Sequence, residues 1–297
     1  MRYVRPYQTS IEHESRVERS IAQMRLAGAM SKRYYGKPLL VCYSGGKDSD
    51  VLVEVARMSG IDFEVQHSRT TADAPETMYH IRDTFRRLRA DGIECFYRNP
   101  TYKGERTSMW SLIPQKQMPP TRLVRYCCKA LKETGGTGRA IATGVRRDES
   151  VARSGRKFAN NFSVARPAAL DFEDAASLFE DADKAIEHDD NFIRSCRMRG
   201  KTSFQPILEW TDDDVWQLID ERGIEVNPLY AEGFKRVGCI ACPFASPKRR
   251  EQDFERWPKY RALYMRAFDR MLANRRESGL ETEWTTAEEV YEWWMSR

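Results

Sequence analysis

Leu39-Leu40-Val41-Cys42-Tyr43-Ser44-Gly45-Gly46-Lys47-Asp48-Ser49 is an apolar run that ends abruptly in small, polar and charged residues. A short continuous apolar run suits a buried strand, and the paired glycines suit a tight loop. Asp50 to Met58 then reads as a helix, stopped by Gly60. Strand, glycine loop and helix in that order make a place for an anion. Glycine lets the backbone approach closely, and a helix N-terminus points free N–H groups outward. Ser44 and Ser49 add hydroxyl donors, and Lys47 adds a point charge. Asp48 is out of place beside an anion unless a divalent cation bridges it to the phosphates. The spacing is not that of the Walker loop, which separates its glycines by four residues and follows Lys with Ser or Thr.

On both sides of the loop the alternation continues. Ile11, Val17, Ile21 and Met24 recur at helical spacing, which predicts a helix from about Ile11 to Met30. Phe63 to His67 reads as a second strand. Thr71, Asp73 and Pro75 give cap and first-turn signals for a helix to about Ala90. Glu94 to Tyr97 and Arg139 to Thr143 are further strands, the latter closed by Gly144. The expected fold class is α/β: a parallel doubly wound sheet with helices on both faces and helical N- and C-terminal extensions. Ligands in such sheets bind outside the carboxyl ends of the strands. The loops expected there are Ser44–Ser49, Ser68–Asp73 and Gly144–Ser150, with Thr71, Asp73 and Gly144 among the candidate contacts.

Residues 151–200 break the rhythm and read as an insertion or a loop over the site. Order resumes at Pro206-Ile207-Leu208-Glu209-Trp210, and Thr211-Asp212-Asp213-Asp214 caps a helix. Residues after Pro258 read as helical. Trp284, Trp293 and Trp294 suit packing at that spacing more than stacking on bases. The expected organisation is an N-terminal helical segment at 1–37, a nucleotide-binding α/β domain at 38–245 and a C-terminal helical segment at 246–297.

The 297 residues carry 49 Lys and Arg against 44 Asp and Glu, a net charge of +5. With 41% hydrophobic residues the chain can bury a core, which excludes disorder. The mean hydropathy is −0.68, and no apolar run approaches the roughly 18 residues of a spanning helix. No membrane association is therefore expected. Met1-Arg2-Tyr3-Val4-Arg5-Pro6 lacks the apolar stretch of a secretory signal, so a cytoplasmic location is expected. Arg86-Arg87, Arg146-Arg147, Lys248-Arg249-Arg250 and Arg275-Arg276 are local basic clusters. They suit phosphates or nucleic acid, and each reads first as a solvated face. His13, His67, His80 and His188 are too scattered for a metal site.

The seven cysteines are odd in number, which argues against a disulfide framework. Cys42 and Cys95 lie in strands and read as core residues. Cys196 sits among Arg194, Arg197 and Arg199, and reads either as an incidental loop thiol or as an activated one. Cys127-Cys128 and Cys239-Ile240-Ala241-Cys242 together offer four thiolates, a set that suits a [4Fe–4S] cluster or zinc. Adjacent cysteines are awkward for a compact tetrahedron, which favours the cluster over zinc. Arg125 and Lys129 flank the tandem pair and could balance cluster charge.

The Ser44–Ser49 loop resembles the pyrophosphate-loop signature of the adenine nucleotide alpha-hydrolase superfamily, which includes ATP pyrophosphatases and the phosphoadenosine phosphosulfate reductase family. Ser68-Arg69-Thr70-Thr71-Ala72-Asp73-Ala74-Pro75-Glu76-Thr77 and Gly144-Val145-Arg146-Arg147-Asp148-Glu149-Ser150 are similar to two loops of the reductase family. Asn227-Pro228-Leu229-Tyr230 and Gly238-Cys239-Ile240-Ala241-Cys242-Pro243 resemble the family too. The likeness spans about residues 38 to 270 and is weakest over 151–200. It implies that Ser44, Gly45, Gly46, Asp48 and Ser49 hold nucleotide phosphates, with Arg146 or Arg147 as a further contact. It also implies a [4Fe–4S] cluster on the cysteine quartet.

The resemblance then divides. Sulfonucleotide reductases attack sulfur with a cysteine in a C-terminal tail, and no cysteine follows Cys242 here. Their phosphate loop is degenerate, whereas Lys47-Asp48 is the intact form of enzymes that cleave ATP. The first expectation is therefore ATP pyrophosphatase chemistry with Mg-ATP, Lys47 and Asp48 being catalytic. An acceptor is adenylated and sulfur is then inserted, as in DNA phosphorothioation-type proteins. A cysteine desulfurase is the expected sulfur source and a nucleic acid a candidate acceptor. The alternatives are an adenylylsulfate or phosphoadenylylsulfate reductase with Cys196 as nucleophile, and a non-catalytic nucleotide- and cluster-binding subunit.

Overall fold

The computed structural model describes residues 11–149, 155–161, 168–177 and 200–296. Cys196, His188 and Ser150 lie outside these residues, as does most of the 151–200 stretch. The chain divides into two compact units. The first is Met1–His67, Tyr79–Phe96 and Gly136–Lys235; the second is Ser68–Met78, Tyr97–Gly135 and Arg236–Arg297.

The first unit carries the sheet. Its strands are β1 (Leu39–Cys42), β2 (Phe63–Ser68), β3 (Cys95–Arg98), β6 (Ala140–Ala142), β7 (Ala159–Asn161), β8 (Ala168–Leu170) and β9 (Thr202–Phe204), with the hairpin strands β4 and β5 belonging to the second unit. The order across the sheet is β3-β2-β1-β6-β9-β7-β8. β1 pairs in parallel with β2 and with β6, and β6 in parallel with β9. The expected α/β fold with a largely parallel sheet is present. The chain runs from β1 outward to β2 and β3, then returns to the other side of β1 at β6. That reversal makes the carboxyl ends of β1 and β6 the place where ligands bind in such sheets.

Leu39, Leu40 and Val41 are buried on both faces, as their continuous apolar run requires. Helix α1 (Ile11–Tyr35) buries Met24, Ala27 and Met30 along one stripe, and Gly28 lets it approach Ile61 to about the width of a methyl group. Helix α2 (Lys47–Ser59) buries Val51, Leu52, Val55 and Ala56, and ends in the left-handed Gly60, whose N–H donates to the carbonyl of Arg57. Each such apolar side chain contributes about 1.5–3 kcal/mol.

The far edge departs from the sequence reading. β7 pairs antiparallel with β9 and with β8, inside the stretch that reads as poor in strand signals. Ala159-Asn160-Asn161 and Ala168-Ala169-Leu170 contain no β-branched or aromatic residue. They are strands because β9 offers an open edge, and pairing there outweighs propensity.

The second unit is helical, apart from the hairpin β4 (Thr101–Tyr102) and β5 (Glu105–Arg106), whose turn places Lys103 and Gly104 at positive φ. Its helices are α3, which begins there and runs over Pro75–Ala90 into the first unit, α4 (Met109–Lys116), α6 (Pro247–Arg256), α7 (Pro258–Glu277) and α8 (Ala287–Met295). α5 (Asp212–Arg222) belongs to the first unit. Trp294 is buried against Tyr264 at 4.7 Å and Phe268 at 5.6 Å, so it packs as its spacing suggests. Arg250 of the third basic cluster is fully buried and donates to the carbonyls of Trp294 and Met295 at the end of α8. No helix among the described residues is long and apolar enough to cross a membrane.

Candidate nucleotide-binding site and cysteine group

The loop after β1 is shaped by Ser49. Its hydroxyl donates to the carbonyl of Gly46 at 2.7 Å and accepts from the N–H groups of Ser44 and Gly46, both at 3.2 Å. Gly45 adopts φ +77°, a conformation that glycine takes without strain. Two residues from far along the chain hold the loop from outside. Asn227 donates to the carbonyl of Gly45 at 3.1 Å, and the hydroxyl of Tyr230 accepts from the N–H of Lys47 at 3.0 Å. Burial, reinforced by the nearby Asp48, Asp50 and Asp212, pushes the Tyr230 phenol above its ordinary pKa, so it stays a neutral hydroxyl.

Gly144, two residues beyond the end of β6, stands against this loop. A Cβ there would meet the carbonyl oxygen of Asp48 at 2.9 Å. Arg146 follows and turns inward. Its Nε donates to Asp48 at 2.5 Å, its Nη2 to Asp212 at 2.9 Å and its Nη1 to the carbonyl of Trp210 at 3.2 Å. Lys47 Nζ donates to the same Asp212 oxygen at 2.6 Å and lies 3.3 Å from Asp48. Lys47 and Arg146 are only 4% and 3% exposed, whereas the Asp212 side chain is 54% exposed. Burial works to raise the Asp212 pKa, but Lys47 and Arg146 outweigh it and hold the carboxyl below its ordinary range. Arg147 points elsewhere, to Glu209 and to the carbonyl of Arg156.

The sequence alone does not mark Asp212 and Tyr230 as site residues. Asp212 reads as part of a helix cap. Here Thr211 is the N-cap and Asp214 its capping-box partner, which leaves Asp212 free to face Lys47. His67 is buried in β2, and its Nδ1 lies 3.0 Å from the carbonyl oxygen of Tyr43.

Thr71 and Asp73 fall in the second unit. Thr71 takes φ +64° and its hydroxyl accepts from the N–H of Met109, while Asp73 accepts from the N–H of Thr70. Their loop forms a wall of the cysteine group: the backbones of Asp73 and Cys239 pair in an isolated antiparallel β-bridge, the N–H of Ile240 donates to the carbonyl of Ala72, and Cys239 Sγ lies 3.4 Å from Thr70 Oγ1.

Cys127, Cys128, Cys239 and Cys242 all belong to this unit, and Cys127 feels the charge of the other three. Its thiol donates to Cys128, which pushes Cys127 up and Cys128 down. Arg125 and Lys132 also favour the Cys128 thiolate, so the counter-charge comes from Lys132 in addition to the expected Arg125. A single turn of π-helix, Cys128–Glu133, sets this arrangement. Among the described residues, no three His, Cys, Asp or Glu side chains close on one point in the manner of a metal-ion site.

The sheet, its reversal at β1 and the loop beneath it define an adenine nucleotide alpha-hydrolase-like protein. Residues 38–245 match the phosphoadenosine phosphosulfate reductase domain, and the chain belongs to that family. It is 45% identical over 56 residues to an uncharacterised 37.8 kDa protein of Escherichia phage 186, covering 19% of this chain and 17% of that one. It is 23% identical over 238 residues to an adenosine 5'-phosphosulfate reductase of Anoxybacillus flavithermus, covering 75% and 80%. The chain spans 17%, 36% and 50% of the lengths of the first three curated relatives it matches. Among solved structures, the FMN adenylyltransferase of Candida glabrata matches with a TM-score of 0.46 and 13% identity, covering 84% and 77%. The U34-tRNA thiolase NcsA of Methanococcus maripaludis, solved with its [4Fe-4S] cluster, matches with a TM-score of 0.42 and 13% identity, covering 95% and 89%.

Proposed function

We propose that this protein binds Mg-ATP in the Ser44–Ser49 loop and adenylates an acceptor with release of pyrophosphate. The observation that carries this reading is the meeting of Lys47, Asp48, Arg146 and Asp212 at the start of α2. Ser44, Gly45, Gly46 and Ser49 would hold phosphates through backbone N–H groups and hydroxyls. Gly144 keeps the second loop close, and Arg147 is a further candidate for a nucleotide contact. An acceptor oxygen attacks the α-phosphorus, and the bond to the bridging oxygen breaks. Pyrophosphate leaves with the electron pair. Lys47 and Arg146 neutralise the charge that develops on it, and Asp48 meets the magnesium that the substrate carries.

Displacement of AMP from the adenylated acceptor by a sulfur nucleophile would then exchange oxygen for sulfur. Cys127, Cys128, Cys239 and Cys242 would hold a [4Fe–4S] cluster, one thiolate to each iron. A cysteine desulfurase is the proposed sulfur source and a nucleic acid the proposed acceptor. The second reading, a sulfonucleotide reductase, is favoured by the relative from Anoxybacillus flavithermus.

Anaerobic thermal denaturation with Mg-ATP, adenylylsulfate and phosphoadenylylsulfate in separate tubes separates the two readings. Mg-ATP is expected to raise the Tm, the sulfonucleotides are not, and Lys47→Ala is expected to abolish the gain. Stabilisation by a sulfonucleotide alone would return the reductase reading.

A further inference from the structure

Lys47 and Arg146 already have carboxylate partners. Lys47 Nζ and Arg146 Nη2 share one oxygen of Asp212, at 2.6 and 2.9 Å. Lys47 Nζ and Arg146 Nε share one oxygen of Asp48, at 3.3 and 2.5 Å. Asp148 adds a third carboxylate 3.5 Å from Arg146. Both buried cations are thus satisfied from within the chain. An entering anion must displace a carboxylate from them and then stand beside it.

We infer that Asp212, together with Asp48, makes this site selective for phosphates that arrive complexed to a divalent cation. This inference rests on the phosphate-binding reading above and adds a specificity residue to it. A bare anion gains Lys47 and Arg146 but leaves two carboxylates unpaired next to its own charge. A metal-complexed diphosphate or triphosphate brings the cation that those freed carboxylates need. Magnesium is commonly held in this way, by one or two carboxylates and the phosphates themselves. Asp212 suits the exchange because it lies on the first turn of α5, half open to solvent, and Thr211 and Asp214 cap the helix without it. A metal-free sulfonucleotide would be rejected by the same pair, so Asp212 also separates the two classes of substrate.

The test is pyrophosphate affinity by titration calorimetry, in excess Mg2+ and in excess EDTA, for the wild type and for Asp212→Asn and Asp212→Ser. The wild type is expected to bind at least about tenfold more tightly with Mg2+. Both variants are expected to shrink that ratio to about threefold or less, chiefly by binding more tightly in EDTA, because one repelling charge is gone. Unchanged ratios, or weaker binding in EDTA, overturn the role of Asp212 while leaving the phosphate site standing. A wild type that binds pyrophosphate in neither buffer overturns the phosphate site and this inference together.

Discussion

At Gly144 the distance that matters is the 2.9 Å between a would-be Cβ and the carbonyl oxygen of Asp48. Glycine is required by the close approach of two loops at the reversal of the sheet, since φ there is not left-handed. Gly144→Ala must push the backbone of the Ser44–Ser49 loop aside. It is expected to cost about 1–3 kcal/mol of stability, as overpacking does, and to weaken Mg-pyrophosphate binding. Calorimetric Tm and titration read the two effects, and wild-type values for both would remove the close approach as a constraint. The need for glycine at 45 and 46 is legible in sequence because a strand, a turn and a helix surround it. The need at 144 depends on a neighbour 96 positions away, which spacing cannot reveal. The arginine pair shows the same limit. Arg146 and Arg147 are alike as residue types, and only the turn after β6 sends one inward to Asp48 and the other to Glu209.

Helix α5 is held by a device that the sequence partly displays. The Thr-Asp-Asp-Asp run is visible as a cap, but its use depends on α1. Asp214 accepts from the N–H of Thr211 at 2.8 Å and from Arg16 at 2.8 Å, and lies 3.1 Å from His13 Nδ1. Burial works to raise its pKa, and the bonds from Thr211, His13 and Arg16 outweigh that and hold it below the ordinary range. A depressed folded-state pKa gives stability that is present above about pH 4 and is lost as pH falls through the folded value. Asp214→Asn is therefore expected to lower stability at pH 7 by about 1–3 kcal/mol. The gap from wild type should narrow as pH falls below about 4 and close as pH passes the depressed folded-state value, through which the wild-type carboxyl is itself protonated. Thermal melts across that range check the sign; a gap that widens in acid would contradict it. The strands β7 and β8 and the π-helical turn at Cys128 are invisible in sequence for a related reason. The strands are imposed by pairing with β9 and with each other, and a single π turn has no sequence signature of its own.

For the whole molecule the decisive question is what the four thiols of the second unit hold, which the sequence reads as a cluster first and zinc second. Arg125 and Lys132 place positive charge beside Cys128 and favour its thiolate. Four thiolates suit either a zinc ion or a [4Fe–4S] cluster with one thiolate per iron. Anaerobic reconstitution with iron and sulfide is expected to give about four of each per chain and a broad visible absorption that bleaches on reduction. Cys127→Ser and Cys242→Ser should each lose most of the iron. Mg-pyrophosphate binding by the same variants is the control, because it reads the first unit and should survive if the chain is folded. A chain that instead takes up about one zinc, colourless and resistant to reduction, would assign the quartet a structural ion and remove the iron–sulfur centre from the proposed thiolation.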